Sequence, residues 1–391
     1  MWKTIILLFL LQWSIAHGQS PCALVHSGAP AAWSGAAISQ HRSEGEVYRI
    51  PMVVHVVWKQ PEENISDSLI EAQIDILNAN FAALDPDSVL IRNVFGGRRT
   101  AAHIRFEIVQ INHVQTSSDF TRNFPKLYWD AVKYAEWGGV EPVSPEQFLN
   151  LWICDFKRFS PQGLLTQAGG GYARPPLGLP LWADDTVIPQ LRDGVVIDDN
   201  TFSLPEFIDL LTHETGHYLG LKHTFPDQAS TDCTYNDGMP DTPPVATSST
   251  LCMPDKNSCI TPSGSDEPDM WENYMDYAHS CSALFTADQV AFMRAVLEEY
   301  RADLYQVVSA QAPANPALLP GIYPNPARDG FYFSEAHLVQ SATLFNTTGQ
   351  VQRVWENPEF CSLQDLPAGM YWVVAKIKGQ EGVFKTVLVK G

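Results

Sequence analysis

The residues best able to do chemistry stand together in His213-Glu214-Thr-Gly-His217-Tyr-Leu-Gly220-Leu-Lys-His223. On a helix, His213 and His217 are four residues apart and share one face. Two imidazoles at that spacing can both reach one Zn²⁺ at about 2.0–2.1 Å. Glu214 sits beside the pair, placed to act as a general base. A helix that simply continued would carry His223 away. Gly220 tolerates the sharp turn that swings His223 back as a third ligand. Three neutral ligands leave one position open, the mark of a catalytic site rather than a structural one. Zinc in such a site lowers the pKa of water and polarises a scissile carbonyl. Glu214 would take the water proton and pass it to the leaving amine. A bare His-Glu-x-x-His is only suggestive. Gly220 and His223 make it specific, because a helix with surface histidines needs neither.

These residues must be carried by a stable frame. Ser203-Leu-Pro-Glu206 is a capping box with Pro205 in the first turn, so a helix is predicted from about Ser203 through Phe207, Leu210, Leu211 and Tyr218. Gly220 ends it. Upstream, Ile50-Pro-Met-Val-Val-His-Val-Val-Trp58 reads as a buried strand. A helix follows, starting at Ser66 or Asp67, with Ile70, Ile74, Leu77, Phe81 and Leu84 at helical spacing. Ile104 to Ile111, Leu149 to Phe156 and Gly194 to Ile197 read as further strands. Strand–helix–strand order indicates an α/β layer. A third helix is predicted from the capping box Thr286-Ala-Asp-Gln289, with Val290, Met293, Leu297, Tyr300 and Leu304 as its apolar stripe. Residues 309–317 open an Ala/Pro-rich linker. Beyond them, short strands near Ile322, Gly330, Ala342, Tyr371 and Val383 predict a small β-sandwich over 318–391.

The two ends and the composition say where such a chain works. Lys3, the apolar stretch Ile5–Leu11 and Ala16-His17-Gly18 read as a signal peptide over residues 1–18. Residues 19–47, rich in Ala, Gly and Ser, read as a prosegment. No later segment is apolar enough for a transmembrane span. The chain of 391 residues carries a formal net charge of −19, which disfavours nucleic acid and anionic membranes as partners. Seven cysteines in an exported chain permit disulfides. Cys233, Cys252, Cys259 and Cys281 cluster in a loop-rich stretch, and their three pairings stay open on sequence. Cys154 reads as a buried thiol.

Downstream of the histidines lies Trp271-Glu-Asn-Tyr-Met275-Asp-Tyr277. With the zinc motif, it resembles the metzincin metallopeptidases, and among them the pappalysin-like, or cytophagalysin, family. The resemblance runs from about residue 48 to 306. It implies an α+β fold: a twisted mixed sheet with backing and active-site helices, then a loop-rich C-terminal subdomain, together spanning 48–308. It places Met275 beneath the metal and gives Tyr277 the role of stabilising an oxyanion. Gly171-Tyr-Ala-Arg-Pro175 resembles the strand above the family's cleft, where a peptide would add as a strand. Cys233 to Pro243 resembles a segment with a bridged cysteine and a calcium site. By resemblance, Cys233 pairs with Cys259 and Cys252 with Cys281, and Asp237 and Thr242 hold calcium. An Asx-rich solvated loop is the plainer alternative there. Cys22 lies in the prosegment, where some metzincin zymogens block zinc with a thiolate; an unpaired arm cysteine is the plainer reading. Family members often carry acidic residues just after the turn, favouring basic substrate side chains. Here Ala278-His279-Ser280 stand there, and that argument fails. The last 70 residues resemble the type IX secretion sorting domain, through Tyr323-Pro-Asn-Pro326, Leu366-Pro-Ala-Gly-Met-Tyr371 and Lys385-Thr-Val-Leu-Val-Lys390.

The expectation is thus a secreted or cell-surface zinc endopeptidase, acting on proteins or peptides and delivered by the type IX machinery. The alternative from another class is a surface binding or adhesion protein on a protease scaffold. An intact Glu214 speaks against it, since binding needs no general base.

Overall fold

The structure is a computed structural model and describes residues 46–121, 130–159, 165–167, 170–182, 192–202, 204, 207–226, 233–260, 267–309, 322–325, 327–334, 336–346, 351–378 and 383–390. The signal peptide, Cys22, nearly all of the prosegment and linker, and Ser203, Pro205 and Glu206 lie outside the described residues.

In chain order, the first unit contains strands β1 (Glu46–Trp58), β2 (Ile104–Gln115), β3 (Phe120–Thr121), β4 (Leu149–Cys154), β5 (Phe156–Phe159), β6 (Leu165–Gln167), β7 (Gly171–Ala173), β8 (Val195–Asp198) and β9 (Gln306–Ser309). Its helices are α1 (Asp67–Phe81), α2 (Leu210–Tyr218) and α3 (Ala287–Tyr300). The main sheet runs β2-β1-β4-β8-β7, with β9 added to β1. Its β1, β2, β4 and β8 pair in parallel, while β7 and β9 are antiparallel. A strand flanked on both sides and covered on both faces should be apolar throughout. That is why Met52, Val53, Val54, Val56 and Val57 are all buried. The more peripheral β2 alternates at its start, with Ile104 and Phe106 buried and Arg105 exposed. Cys154, at the end of β4, is a buried free thiol. Its titration is pushed well up, first by burial and then by Asp199 and Asp198.

Helix α1 is capped by Ser66, whose hydroxyl accepts from the Leu69 amide at 3.4 Å. Ile70, Ile74, Leu77 and Phe81 are buried as their spacing predicts. Leu84 departs from that stripe and is 77% exposed. The helix stops at Phe81, and Ala83 takes a left-handed φ of 54° that turns the chain before Leu84.

The active-site helix also starts later than its capping box predicts, at Leu210 rather than near Ser203. Side chains from α1 explain the difference. Gln73 Nε2 donates to the Phe202 carbonyl at 2.8 Å, and Asn80 Nδ2 donates to Asp209 Oδ1 at 2.8 Å. These bonds hold residues on either side of the capping box to α1, and tertiary contacts override a local helix signal of this size. Helix α3 does begin at its capping box: Thr286 Oγ1 accepts from the Gln289 amide at 3.3 Å, and Gln289 Oε1 accepts from the Thr286 amide at 3.0 Å.

The C-terminal region holds β10 (Ile322–Tyr323), β11 (Gly330–Phe333), β12 (Val339–Phe345), β13 (Val351–Glu356), β14 (Cys361–Ser362), β15 (Gly369–Ile377) and β16 (Val383–Lys390). They form two sheets, β10-β11-β14 and β13-β12-β15-β16. Phe331, Phe333, Leu344, Cys361, Val373 and Leu388 fill the space between them. Strand β13 was not legible, because its residues are mostly exposed and show no clean alternation. Trp372 belongs instead to the apolar cluster of the first unit.

Candidate active site

Every residue of α2 is buried, polar ones included. A fully buried helix carrying two histidines and a glutamate requires partners for each polar group. His213 Nδ1 donates to the Tyr274 carbonyl at 2.7 Å, and His217 Nδ1 donates to the Leu221 carbonyl at 2.8 Å. A carbonyl only accepts, so both protons sit on Nδ1 and both Nε2 atoms present lone pairs. Those lone pairs face each other at 3.1 Å, and His217 Nε2 lies 3.0 Å from His223 Nε2. Two imidazole lone pairs that close repel unless a cation lies between them. Ligands at the corners of a tetrahedral zinc stand about 3.3 Å apart. The donor set therefore fits a tetrahedral, borderline-soft metal ion, with the carbonyls orienting the rings from behind. Burial, followed by His217, His279 and His223, holds His213 well below the usual imidazole range. A neutral ring is the form a metal requires.

His223 reaches this point because the chain reverses at Gly220, whose φ is +93°. Gly220 also sits in a tight place, since a Cβ there would lie 2.7 Å from Leu179 Cδ2. Trp182 Nε1 donates to the Gly220 carbonyl at 2.8 Å and locks the turn. Phe225 stacks on His223 at 4.8 Å between ring centres. Glu214 is buried one residue after His213, and Gly171 of the edge strand β7 passes so close that a Cβ there would meet Glu214 Cγ at 3.0 Å.

Met275 lies directly under α2. A Cβ on Gly216 would come within 2.4 Å of Met275 Sδ, so only glycine permits this approach. The turn that holds Met275 is tied to α3. Asn273 Oδ1 accepts from the Met275 amide at 2.9 Å, and Asn273 and Gln289 exchange hydrogen bonds at 2.8 and 3.1 Å. Tyr277 packs 5.0 Å from His223 and 5.6 Å from His213. The turn is also stapled: Cys233 is bonded to Cys259, and Cys252 to Cys281. Asp237 is buried, its Oδ1 accepting from Thr242 Oγ1 at 2.7 Å and from the Met239 amide at 3.0 Å.

Three contributors escaped the sequence. Trp182 and Phe225 shape the site from segments outside every motif, and Tyr274, though inside the Trp271–Tyr277 motif, acts through its backbone carbonyl. His279, noted only for what it replaces, lies with its ring 5.0 Å from that of His213. Burial and His223 push its pKa down to about 3.

Comparison with known proteins follows the same lines. Residues 140–298 match the family model described as pregnancy-associated plasma protein-A, a metallopeptidase family. Residues 321–390 match the secretion system C-terminal sorting domain. An extracellular metalloprotease of Arthroderma otae is 37% identical over 261 residues, 65% of this chain and 79% of that protein. One from Sordaria macrospora is 40% identical over 94 residues, which span 24% of this chain and only 30% of that protein. Among solved structures, a promirolysin variant from Tannerella forsythia shares 28% identity, with a TM-score of 0.55, over 66% of this chain and 84% of that one. Mature mirolysin of Tannerella forsythia, in complex with a cleaved peptide, shares 27% identity with a TM-score of 0.53 over 66% of this chain and 98% of that one. The chain belongs to the pregnancy-associated plasma protein-A, or pappalysin-like, family of metzincin metallopeptidases, and its C-terminal region is of the secretion-sorting type.

Proposed function

We propose that this chain is an exported zinc endopeptidase with His213, His217 and His223 as metal ligands and Glu214 as general base. The observation that carries this reading is the convergence of three Nε2 atoms, two of them fixed as lone-pair donors by backbone carbonyls. A zinc ion held there would supply Lewis acidity to polarise a scissile carbonyl and to acidify water. Glu214 accepts the water proton on its carboxylate and returns it to the leaving amine. Tyr277 donates its hydroxyl to the oxyanion. Strand β7 offers the edge along which a peptide lies extended. Casein digestion by the processed protein should vanish on zinc chelation and return on adding Zn²⁺. Digestion that survives complete zinc removal would sink this reading. The adhesion alternative gains no support, since no observation here favours it. Export follows from the sorting-type C-terminal region and the extracellular relatives. Among the described residues, no helix is long and apolar enough to cross a membrane.

Asp237 and Thr242 form the proposed calcium site. Burial pushes the Asp237 carboxyl up to about 7, from about 3.9 in an unfolded chain. A raised folded pKa stabilises below about pH 4, and that stability is lost as pH rises through about 7. Calcium, by binding the ionised form, should restore it. Asp237→Asn should therefore raise Tm by a few degrees at pH 8 without calcium and abolish the further rise that calcium gives the parent. A thermal scan showing equal calcium shifts in both proteins would refute the assignment.

A further inference from the structure

Trp372 is only 5% exposed, yet the sandwich that carries it does not bury it. Side chains alternate along a strand. On β15, Tyr371, Val373 and Ala375 face the space between the two C-terminal sheets. Trp372 therefore faces outward, and its cover is the apolar core of the first unit. Phe345 of β12 stands directly opposite it and packs against that same core. The indole Nε1 has no hydrogen-bond partner, so apolar packing alone holds the ring there. The first unit shows the other half of this contact. A helix lying on one sheet buries a stripe of roughly 100°. Ala72 and Ile74 of α1 are both buried, although their positions lie about 160° apart around the helix. Helix α1 is thus covered from more than one side. Strand β2 and α2 lie against it, and so does β16 of the C-terminal region.

We propose that the C-terminal sandwich is a docked brace of the first unit, anchored there by Trp372 and Phe345, and that it steadies the active-site helix through α1. Domains joined by a linker move relative to one another unless a hydrophobic interface holds them. A fully desolvated tryptophan is the kind of anchor that supplies most of such an interface's energy. The route from the anchor to the site is short. Helix α1, which β16 lies against, donates from Gln73 to the Phe202 carbonyl and from Asn80 to Asp209 and Thr212. Asp209 and Thr212 belong to the start of α2. Trp372 is therefore a positioning residue that acts on the site through α1. The region of secretion-sorting type thus has a structural task inside the molecule as well.

Small-angle scattering and hydrogen exchange on the zinc-loaded full chain provide the test, with Glu214→Ala carried in every sample to stop self-digestion. With no further change, the chain should scatter as one compact particle. Trp372→Asp should convert it into two tethered units. It should also lower amide protection in α1 and in the first turn of α2 by at least about fivefold. Protection in β4 and β11 should hold, since neither core is touched. Trp372→Phe keeps an aromatic ring and removes the unpaired N–H, and should behave as the parent does. So should Val354→Asp, at a 57% exposed position of β13 in the same sheet. A parent that already scatters as two tethered units overturns the docking. Parental scattering from Trp372→Asp overturns the anchor. Unchanged protection in α1 overturns the brace, and a loss that stops at α1 overturns its reach to α2. If Trp372→Asp unfolds the sandwich, loss of protection in β11 will show it. The brace is then gone all the same, and α1 must still lose protection while β4 keeps it.

Discussion

Glu214→Ala should lower kcat/KM on a peptide substrate by about 10²–10⁴-fold, while bound zinc stays at one ion per chain. Glu214 follows His213 on a helix whose every residue is buried, and Gly171 presses on its side chain from β7. Its position is thus fixed from both sides. The three imidazoles do not depend on it for orientation, since carbonyls of Tyr274 and Leu221 hold two of them. Metal content should therefore survive the substitution while turnover does not. A loss of 10³-fold corresponds to about 4 kcal/mol of transition-state stabilisation. Glu214→Gln, which keeps the shape, should be nearly as inactive. Mass-spectrometric zinc analysis beside the kinetic assay separates a lost base from a lost metal. A Glu214→Ala protein with half the parental rate would move the general base elsewhere.

The second large effect is expected at Gly220. Its φ of +93° costs a residue with a Cβ about 1–2 kcal/mol. In Gly220→Val the new side chain would meet Leu179 Cδ2 at 2.7 Å and Phe292 Cε1 and Val296 Cγ2 at 3.1 Å. Overpacking of this kind costs about 1–3 kcal/mol more. Together these correspond to a fall in Tm of roughly 5–15 °C for a unit of this size. The damage should not stop at stability. Relief of the clash shifts the turn that returns His223, so zinc affinity should fall as well. Gly97→Ala is the control, because nothing lies within 4 Å of a Cβ built there. It should leave both Tm and zinc affinity unchanged. Parental zinc affinity in Gly220→Val would mean that His223 does not depend on this turn.

The frame and the reactive segment were legible to different degrees, for physical reasons. The return of His223 could be read because it depends on covalent spacing and one glycine. The core strands β1, β4 and β8 could be read because full burial demands nearly continuous apolar runs, interrupted in β1 and β4 by His55 and Asn150, which hydrogen-bond each other at 3.0 Å. The start of α2 could not, since the competing bonds come from Gln73 and Asn80, more than 120 positions upstream. Trp182 and Phe225 were illegible for the same reason: a loop residue's contact with a site is a tertiary fact with no periodic trace. His279 stood in plain view but without meaning, because its place beside His213 is a property of space rather than of order along the chain.

Strands β1 and β9 lie side by side, with Glu46 opposite Ser309 and Val47 opposite Val308. The catalytic unit therefore begins and ends at one corner, about one strand spacing of 4.8 Å apart. A unit closed in this way is a ring in all but one bond. A circular permutant that joins residue 309 to residue 46 through a short turn, and opens in an exposed loop, would keep every strand neighbour it now has. It also follows that trimming before Glu46 or after Ser309 leaves every described strand of the main sheet in place.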